Sequence, residues 1–371
     1  MQRIREELSK LGENGQFRRI PDIETKVDGK VIIDGKEYIN FASNDYLGIS
    51  TKKDLIKEFS KTGEYLYSSA SARLLSGTSH EFKELEATVA NIFNKEACLI
   101  FNTGYQCNLG VISVLCSRGD VVFSDKLNHA SIIDGMRLAE GDFIRYKHFD
   151  YDGLERLLKS RRGSYKRAII VSESVYSMDG DVADIQKLVE LKNKYNCLLM
   201  IDEAHAFCAY GDSLAGVSAG MDVDIITATF GKAVGSFGAF CVANSDIINY
   251  LINKARSFIF STSIPPVNIA WTNWLLGKNR TYLEQRKEIL KKVTEQTHAL
   301  LGDKGTHIIP IVTGSNENTL KVSEKLRAEG YYIPAIRPPT VPDGTSRLRI
   351  SLTADSKIED FKQVLEIVRE S

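Results

Sequence analysis

The sequence is poor in cysteine chemistry. Its 371 residues include six cysteines (Cys98, Cys107, Cys116, Cys197, Cys208 and Cys241), and no two of them form a CxxC pair. Most lie in apolar surroundings such as ACLIF and NCLLM. That usage argues against a disulfide framework or a structural zinc site and marks these residues as reduced core thiols. No stretch approaches the length of a membrane span, and the N-terminal MQRIREELSKLGENG is charged and helical in pattern, without the apolar core of a signal peptide. The expected location is the cytoplasm. An excess of either charge is missing too, since 48 basic side chains face 48 acidic ones and no like-charged run stands out. Nothing therefore prepares a nucleic-acid or membrane surface, and an acidic ligand has to be met by a local site. Internal repeats and low-complexity tracts are likewise absent.

The common nucleotide fingerprints also fail. TATFGKAVGSFGAF, Thr227 to Phe240, places Lys232 after an apolar run and among small residues. A phosphate-binding P-loop needs a glycine five residues before the Gly-Lys pair and a hydroxyl directly after it; Ile226 and Ala233 stand there instead. Gly235 and Gly238 lack the spacing of a dinucleotide-binding turn. Taken alone, Lys232 reads as an ordinary loop lysine.

What is present is length and alternation. The 43% of apolar residues suffices for two domains or one large α/β domain with an appendage. VDGKVIIDGKEYINFAS alternates apolar and polar residues around two Asp-Gly turns, as a hairpin arm does. From about residue 50 to 265, seven apolar runs (ACLIFNTG, DVVFSD, FIRYKHF, AIIVSES, CLLMIDEAH, DIITATF, GAFCVAN) alternate with amphipathic stretches. That order predicts a mostly parallel sheet with helices on both faces. DIQKLVELKNKYN carries Ile185, Leu188, Val189 and Lys192 at helical spacing. Pro265-Pro266 punctuates the chain, and beyond it helices and strands mix as in a smaller α+β domain. The expected division is an arm over residues 1–48, a large domain over 49–266 and a small domain over 267–371.

In open α/β sheets ligands gather beyond the carboxyl ends of the strands. LLMID ends at Asp202, with His205 three residues on; LIFNTGYQ offers Gly104 and Tyr105 at a helix start; DVVFSDKLNHAS offers His129; AIIVSESVYSMDGD offers Glu173 and Ser177. Each is weak singly, because a lone histidine or loop acid is more often structural. Together with Lys232 they supply an amine, a carboxylate, two histidines and an anion site. Pyridoxal phosphate needs such a set: an amine to bond its aldehyde, a carboxylate to keep the pyridine nitrogen protonated, and helix-end amides for its phosphate.

TFGKAVGSFGAF, IDEAH, SNDYLG, RLLSG, NHASIIDG, ESVYSMDGD and FIFSTSIPP, in this order over essentially the whole chain, resemble the α-oxoamine synthases among fold-type I pyridoxal phosphate enzymes. The TFGKA run and AIRPPTVPDGTSRLRISLTA are most similar to the biotin-biosynthesis branch. The resemblance implies a large domain with a mostly parallel seven-stranded sheet, a smaller C-terminal α+β domain, and a homodimer with shared active sites. It implies condensation of L-alanine with a pimeloyl thioester, carried by CoA or an acyl carrier protein. By matching motifs, Lys232 is the lysine that bonds the cofactor and the base for the α-proton. Asp202 pairs with the pyridine nitrogen, His205 lies near the ring's phenolic oxygen, and His129 stacks on the ring. Gly104, Tyr105, Glu173, Ser177 and Thr229 are cofactor contacts, and Thr262 or its neighbour Ser261 reaches the partner's phosphate. Arg349 holds the amino-acid carboxylate, Asn44 lies close to that substrate, and Arg18 and Thr340 touch the acyl substrate, with Arg19 the other register for Arg18.

Two stretches depart from the family. Ser68-Ser69-Ala70-Ser71-Ala72-Arg73 replaces a glycine-rich GSGGSR, and Phe207 and Cys208 replace a Gly-Thr-Gly-like continuation after IDEAH. The alternatives are a sister synthase taking glycine or serine with another acyl-CoA, and a non-catalytic pyridoxal phosphate-binding regulator. The latter would lack the lysine, aspartate or arginine, all of which are present.

Overall fold

The computed structural model describes residues 1–371. Contacts group them into two units. Met1–Lys52, Met178–Gly180 and Glu288–Ser371 form the smaller, and Lys53–Ser177 with Asp181–Lys287 the larger. The sequence suggested a boundary after Pro266, but the stretch that follows groups with the larger unit, because the helix Pro266–Leu276 packs on the helix His80–Phe93.

The smaller unit begins with the helix Gln2–Glu13 and the antiparallel strands β1 (Thr25–Val27), β2 (Lys30–Ile33) and β3 (Lys36–Asn40). Both Asp-Gly pairs have positive φ at each residue (40° and 80° for Asp28-Gly29, 52° and 68° for Asp34-Gly35). That backbone belongs to the hairpin turn whose twist matches the strands it joins. Val31, Ile33 and Tyr38 share a small apolar cluster.

The larger unit holds the seven-stranded sheet: β4 (Ala97–Phe101), β5 (Val121–Asp125), β6 (Asp142–Tyr146), β7 (Ala168–Glu173), β8 (Leu198–Asp202), β9 (Ile225–Thr229) and β10 (Ala239–Ala243). Their order is β4-β10-β9-β8-β7-β5-β6, with β10 the one antiparallel strand. All seven apolar runs of the sequence are strands of this sheet. β5 and β7 are buried at every residue, as expected of strands covered on both faces, whereas β6, at the edge, is largely exposed. The helix Ile185–Tyr195 starts where Asp184 caps it by accepting from Lys187 N, and it buries Ile185, Leu188, Val189, Leu191 and Lys192. Lys192 is tolerated inside because Asp222 and Asp224 meet its amine at 3.1 and 3.0 Å.

The strand directions put the carboxyl ends of β4, β5, β7, β8 and β9 on one edge. Glu173 is in register with Asp202, and Asp202 with Thr227, while Phe101 and Thr229 both pair with Ala239. The polar residues that follow these strands are thereby collected.

The smaller unit resumes with β11 (Ile308–Gly314), β12 (Tyr331–Tyr332), β13 (Ala335–Ile336) and β14 (Ser346–Ser351). β14 lies between β11 and β13, while β12 adds in parallel to β3. This pairing ties the N-terminal hairpin to the C-terminal segment. The helices Asn316–Ala328 and Ile358–Arg369 belong to the same unit.

Candidate active site

Lys232 lies in a tight turn after β9. Phe230 and Gly238 close it by a backbone hydrogen bond of 2.9 Å, and Ser236 N returns to Phe230 O at 3.0 Å. Gly238 has φ of 112°, and a Cβ there would come within 2.7 Å of Ile264 Cδ1, so the turn requires glycine. The lysine amine so presented is 2.7 Å from His205 Nε2. Thr229, at the strand end, donates to Gly238 O and accepts from Gly231 N, which shapes the turn's entrance.

Asp202 ends β8 and is 6% exposed. Its Oδ2 accepts from Asn108 Nδ2 at 2.7 Å and its Oδ1 from Ala204 N at 2.9 Å. Both partners are neutral. Asn108 is itself held by Thr227 Oγ1, which donates to its Oδ1 at 2.9 Å, and its Nδ2 also reaches Ser131 Oγ at 3.0 Å. Ser131 Oγ is 2.7 Å from His129 Nδ1, so one buried polar chain runs from Thr227 and Asp202 to His129. Asn108, Ser131 and Thr227 were not singled out from the sequence. The only signal for Asn108 was an amide between Cys107 and Leu109 in a mostly apolar helix, Gly104–Leu115.

His129 N donates to Glu173 Oε1 at 2.5 Å, and the Tyr105 ring meets the imidazole edge-on at 6.3 Å. Burial pushes the Glu173 carboxyl pKa well up, and the Asp202 charge adds to it. The protein packed about His129 lowers its pKa; Asp202 opposes this and Lys232 reinforces it. The Tyr105 hydroxyl is engaged by Asp134.

Thr103 caps the helix Gly104–Leu115, its side chain accepting from Gln106 N at 3.1 Å, and the amides of Gly104 and Tyr105 open the helix. A Cβ on Gly104 would lie 3.8 Å from Thr229 Cβ, which places these two residues together. Asn102 donates to Thr262 O at 2.6 Å, and Gln106 Nε2 is 3.5 Å from Ser261 Oγ. Thr262 itself bridges in antiparallel fashion to Ala72. Ser177 lies within the loop closed by the Val175–Val182 bridge and is half-buried.

Of the five substrate candidates His129 is in the larger unit, and Arg18, Asn44, Thr340 and Arg349 are in the smaller. Arg349, buried on β14, donates to Asn44 Oδ1 at 3.1 Å, Ser351 Oγ at 2.6 Å and Tyr46 OH at 3.3 Å. Ser351 N to Phe41 O and Ala354 N to Tyr46 O bring the Asn44 loop to this strand. Burial raises the Tyr46 pKa, against the pull of Arg349. Arg18 Nη2 reaches Thr340 Oγ1 at 3.1 Å, whereas Arg19 lines a separate hollow with Pro21, Ser323 and Tyr332.

Both departures from the family pattern have an unusual backbone. Ala70 has φ of 48° and Cys208 φ of 61°, left-handed conformations that favour glycine. Ala70 is exposed and its N–H meets Ser68 Oγ at 3.1 Å. Cys208 is fully buried beside Phe207, which packs with Phe93, Phe230 and Phe240.

The larger unit alone thus presents an amine, a buried carboxylate with only neutral partners, and a helix start with free amides. A carboxylate so placed has room in its electrostatics for a cationic ring nitrogen, and the donor set fits pyridoxal phosphate.

Comparison with known proteins agrees. Residues 36–368 match the aminotransferase class I and II family. A Haemophilus influenzae protein, provisionally named an 8-amino-7-oxononanoate synthase, is 40% identical over 378 residues, covering 98% of this chain and 99% of its own. The 8-amino-7-oxononanoate synthase of Chlorobaculum parvum is 38% identical over 377 residues, covering 96% and 95%. Serine palmitoyltransferase from S. paucimobilis superposes with a TM-score of 0.89 at 27% identity, over 99% of this chain and 96% of that one. The chain belongs to the aminotransferase class I and II family, and within it to the α-oxoamine synthases.

Proposed function

We propose that the protein condenses L-alanine with a pimeloyl thioester, giving 8-amino-7-oxononanoate, CO2 and the free thiol, as a step of biotin biosynthesis. The cofactor is pyridoxal phosphate, which when bound supplies an electron sink for the carbanion at the amino acid's Cα. The observation that carries the reading is the Lys232 amine 2.7 Å from His205, on the sheet edge where Asp202 ends β8.

Each residue has a task. Lys232 Nζ would hold the cofactor through its aldehyde, and the same amine would take the proton from the amino acid's Cα. Asp202, held in place by Asn108 and Ala204 N, keeps a proton on the ring nitrogen. His205, 2.7 Å from the Lys232 amine, would orient the lysine and meet the ring's oxygen, and His129 would stand against the ring. The amides of Gly104 and Tyr105, with Ser177 and Thr229, receive the phosphate. Glu173 holds the His129 backbone. Arg349 clamps the amino-acid carboxylate with Asn44 beside it, and Arg18 and Thr340 meet the acyl donor. In the reaction a C–C bond forms between alanine Cα and the thioester carbonyl carbon, and the thiolate leaves. The alanine carboxylate then departs as CO2, and a proton takes its place.

A homodimer with shared sites, in which Thr262 reaches the partner's phosphate, belongs to this reading, as does a cytoplasmic location. No helix is long and apolar enough to cross a membrane. The choice of alanine over serine rests on the 38–40% identity to the synthases named for 8-amino-7-oxononanoate, against 27% to serine palmitoyltransferase. Thiol release by purified protein, with pimeloyl-CoA or its carrier-protein counterpart and alanine, glycine or serine in turn, tests it. Release with alanine is expected; release with glycine or serine alone transfers the protein to a sister branch.

A further inference from the structure

His148 lies outside every role assigned above, yet it stands between two carboxylates, Asp125 and Asp181. It follows edge strand β6, and its ring is bracketed by two carboxylates. Nδ1 is 3.0 Å from Asp125 Oδ1 and Nε2 is 2.9 Å from Asp181 Oδ2. The ring stacks on Phe149 at 3.8 Å and meets Tyr176 edge-on at 4.5 Å. With an acceptor at each nitrogen, both nitrogens must donate, which only the imidazolium can do. Asp125 is 1% exposed, so its charge needs this partner.

Asp125 is also the hinge of the turn that carries His129. Its Oδ1 accepts from Leu127 N at 2.8 Å and its Oδ2 from Phe149 N at 3.1 Å. One residue on, Asn128 donates to Ser124 Oγ and Val171 O, each at 2.9 Å, and accepts from Tyr176 OH at 3.1 Å. Tyr176, whose ring His148 touches, donates its backbone N–H to Asp181 O at 3.1 Å. His148 therefore grips the turn from two directions, through Asp125 and through Tyr176 to Asn128.

We infer that His148 is a positioning residue for His129: by bridging Asp125 and Asp181 it fixes the Asp125–His129 turn, and with it the imidazole that covers the cofactor ring. The inference rests on the role given to His129 under the proposed function, but the placement of the turn can be tested without it.

The two nitrogens can be separated by substitution. His148→Asn keeps a donor near the Nδ1 position, facing Asp125, and loses the Asp181 bond. His148→Gln puts its donor near the Nε2 position, facing Asp181, and leaves Asp125 Oδ1 without the donor that His148 supplied. The first measurement is amide hydrogen exchange of residues 121–136 in the cofactor-free protein, which reads the turn whatever the enzyme does. His148→Gln is expected to exchange the Leu127 and His129 amides about tenfold faster, a charged hydrogen bond being lost, and His148→Asn to stay within about threefold of wild type. With cofactor bound, the Gln variant should shift the visible absorption band and lower kcat/KM for the amino acid by about tenfold, with the Asn variant restoring both. Equal protection in the two variants, or a loss of protection spread evenly over the whole sheet with an unaltered spectrum, would make His148 a fold residue only and overturn the inference. Absence of thiol release from the wild-type protein would instead overturn the proposed function and leave the exchange result standing.

Discussion

Asn108 Nδ2 donates to Asp202 Oδ2 over 2.7 Å, joining a helix that starts after β4 to the end of β8. This contact gives the carboxylate a fixed direction without neutralising it. A buried anion whose hydrogen-bond partners are all neutral has an unfilled electrostatic demand, which under the proposed function the ring nitrogen of the cofactor would meet. Asp202→Asn removes the charge at nearly constant shape. It is expected to lower kcat by about a hundredfold to a thousandfold with little change in KM for the amino acid. A loss below tenfold would mean that the ring does not need this charge.

Lys232 has a more absolute task. Lys232→Ala should abolish thiol release, by at least about a thousandfold, since under the proposed function this one residue is both the covalent anchor and the base. The residue is on a turn closed by backbone bonds, so melting should move by no more than about 2 °C. Borohydride reduction followed by peptide mass mapping supplies the second readout. In the wild-type protein the cofactor should remain attached to the peptide containing Lys232, and attachment at another lysine would displace it from the role.

The strands of the larger unit were legible because each is a short apolar run ended by polar residues, as in CLLMID followed by EAH. The helix capped at Asp184 was legible from its spacing alone. What local pattern could not disclose is register. Glu173, Asp202 and Thr227 meet only because β7, β8 and β9 are parallel and aligned at their ends. Asn108 and Ser131 become part of the site through that alignment, and Ser131 carries no signature of its own. The grouping of the N-terminal hairpin with the C-terminal segment was equally hidden, since it depends on β12 pairing with β3 from the far end of the chain. The Asp-Gly turns were legible for the opposite reason: their chemistry and their positive φ are the same fact.

Ala70 and Cys208 offer a paired test of backbone strain. Both adopt positive φ, but Ala70 is exposed and Cys208 is fully buried. Ala70→Gly relieves the left-handed penalty, leaves no cavity and gives back part of the gain as unfolded-chain entropy. A net stabilisation of about 0.5 kcal/mol is expected. Cys208→Gly relieves the same strain but empties a packed position beside Phe207, and should destabilise by about 1 kcal/mol or more. Chemical denaturation of the two variants checks the signs. Two stabilised variants would show that packing at Cys208 is slack.

The His148 cluster predicts how stability depends on pH. Burial alone would lower its pKa, but the hydrogen bonds and charges of Asp125 and Asp181 outweigh it and raise the value from 6.5 to about 9. A histidine that holds its proton more tightly when folded contributes stability that is fully present below pH 6.5 and is lost as pH rises to about 9. The half-buried ring and the screening of Asp181 reduce the contribution to about 2 kcal/mol. His129 works in the other direction: its lowered pKa makes the folded state shed a proton, so its effect lies at and below pH 6.5 and stability there rises with pH. The windows are separate, and the tyrosines packed near His148, Tyr146, Tyr151 and Tyr176, all have pKa values raised above 10. Denaturation measured from pH 6 to 9.5 should therefore show wild-type stability falling across the upper range. In His148→Asn, which has no proton to lose, the slope should flatten. Parallel curves for the two proteins would show that the imidazolium is not held by its two carboxylates, and the case for its grip on the Asp125–His129 turn would fall with it.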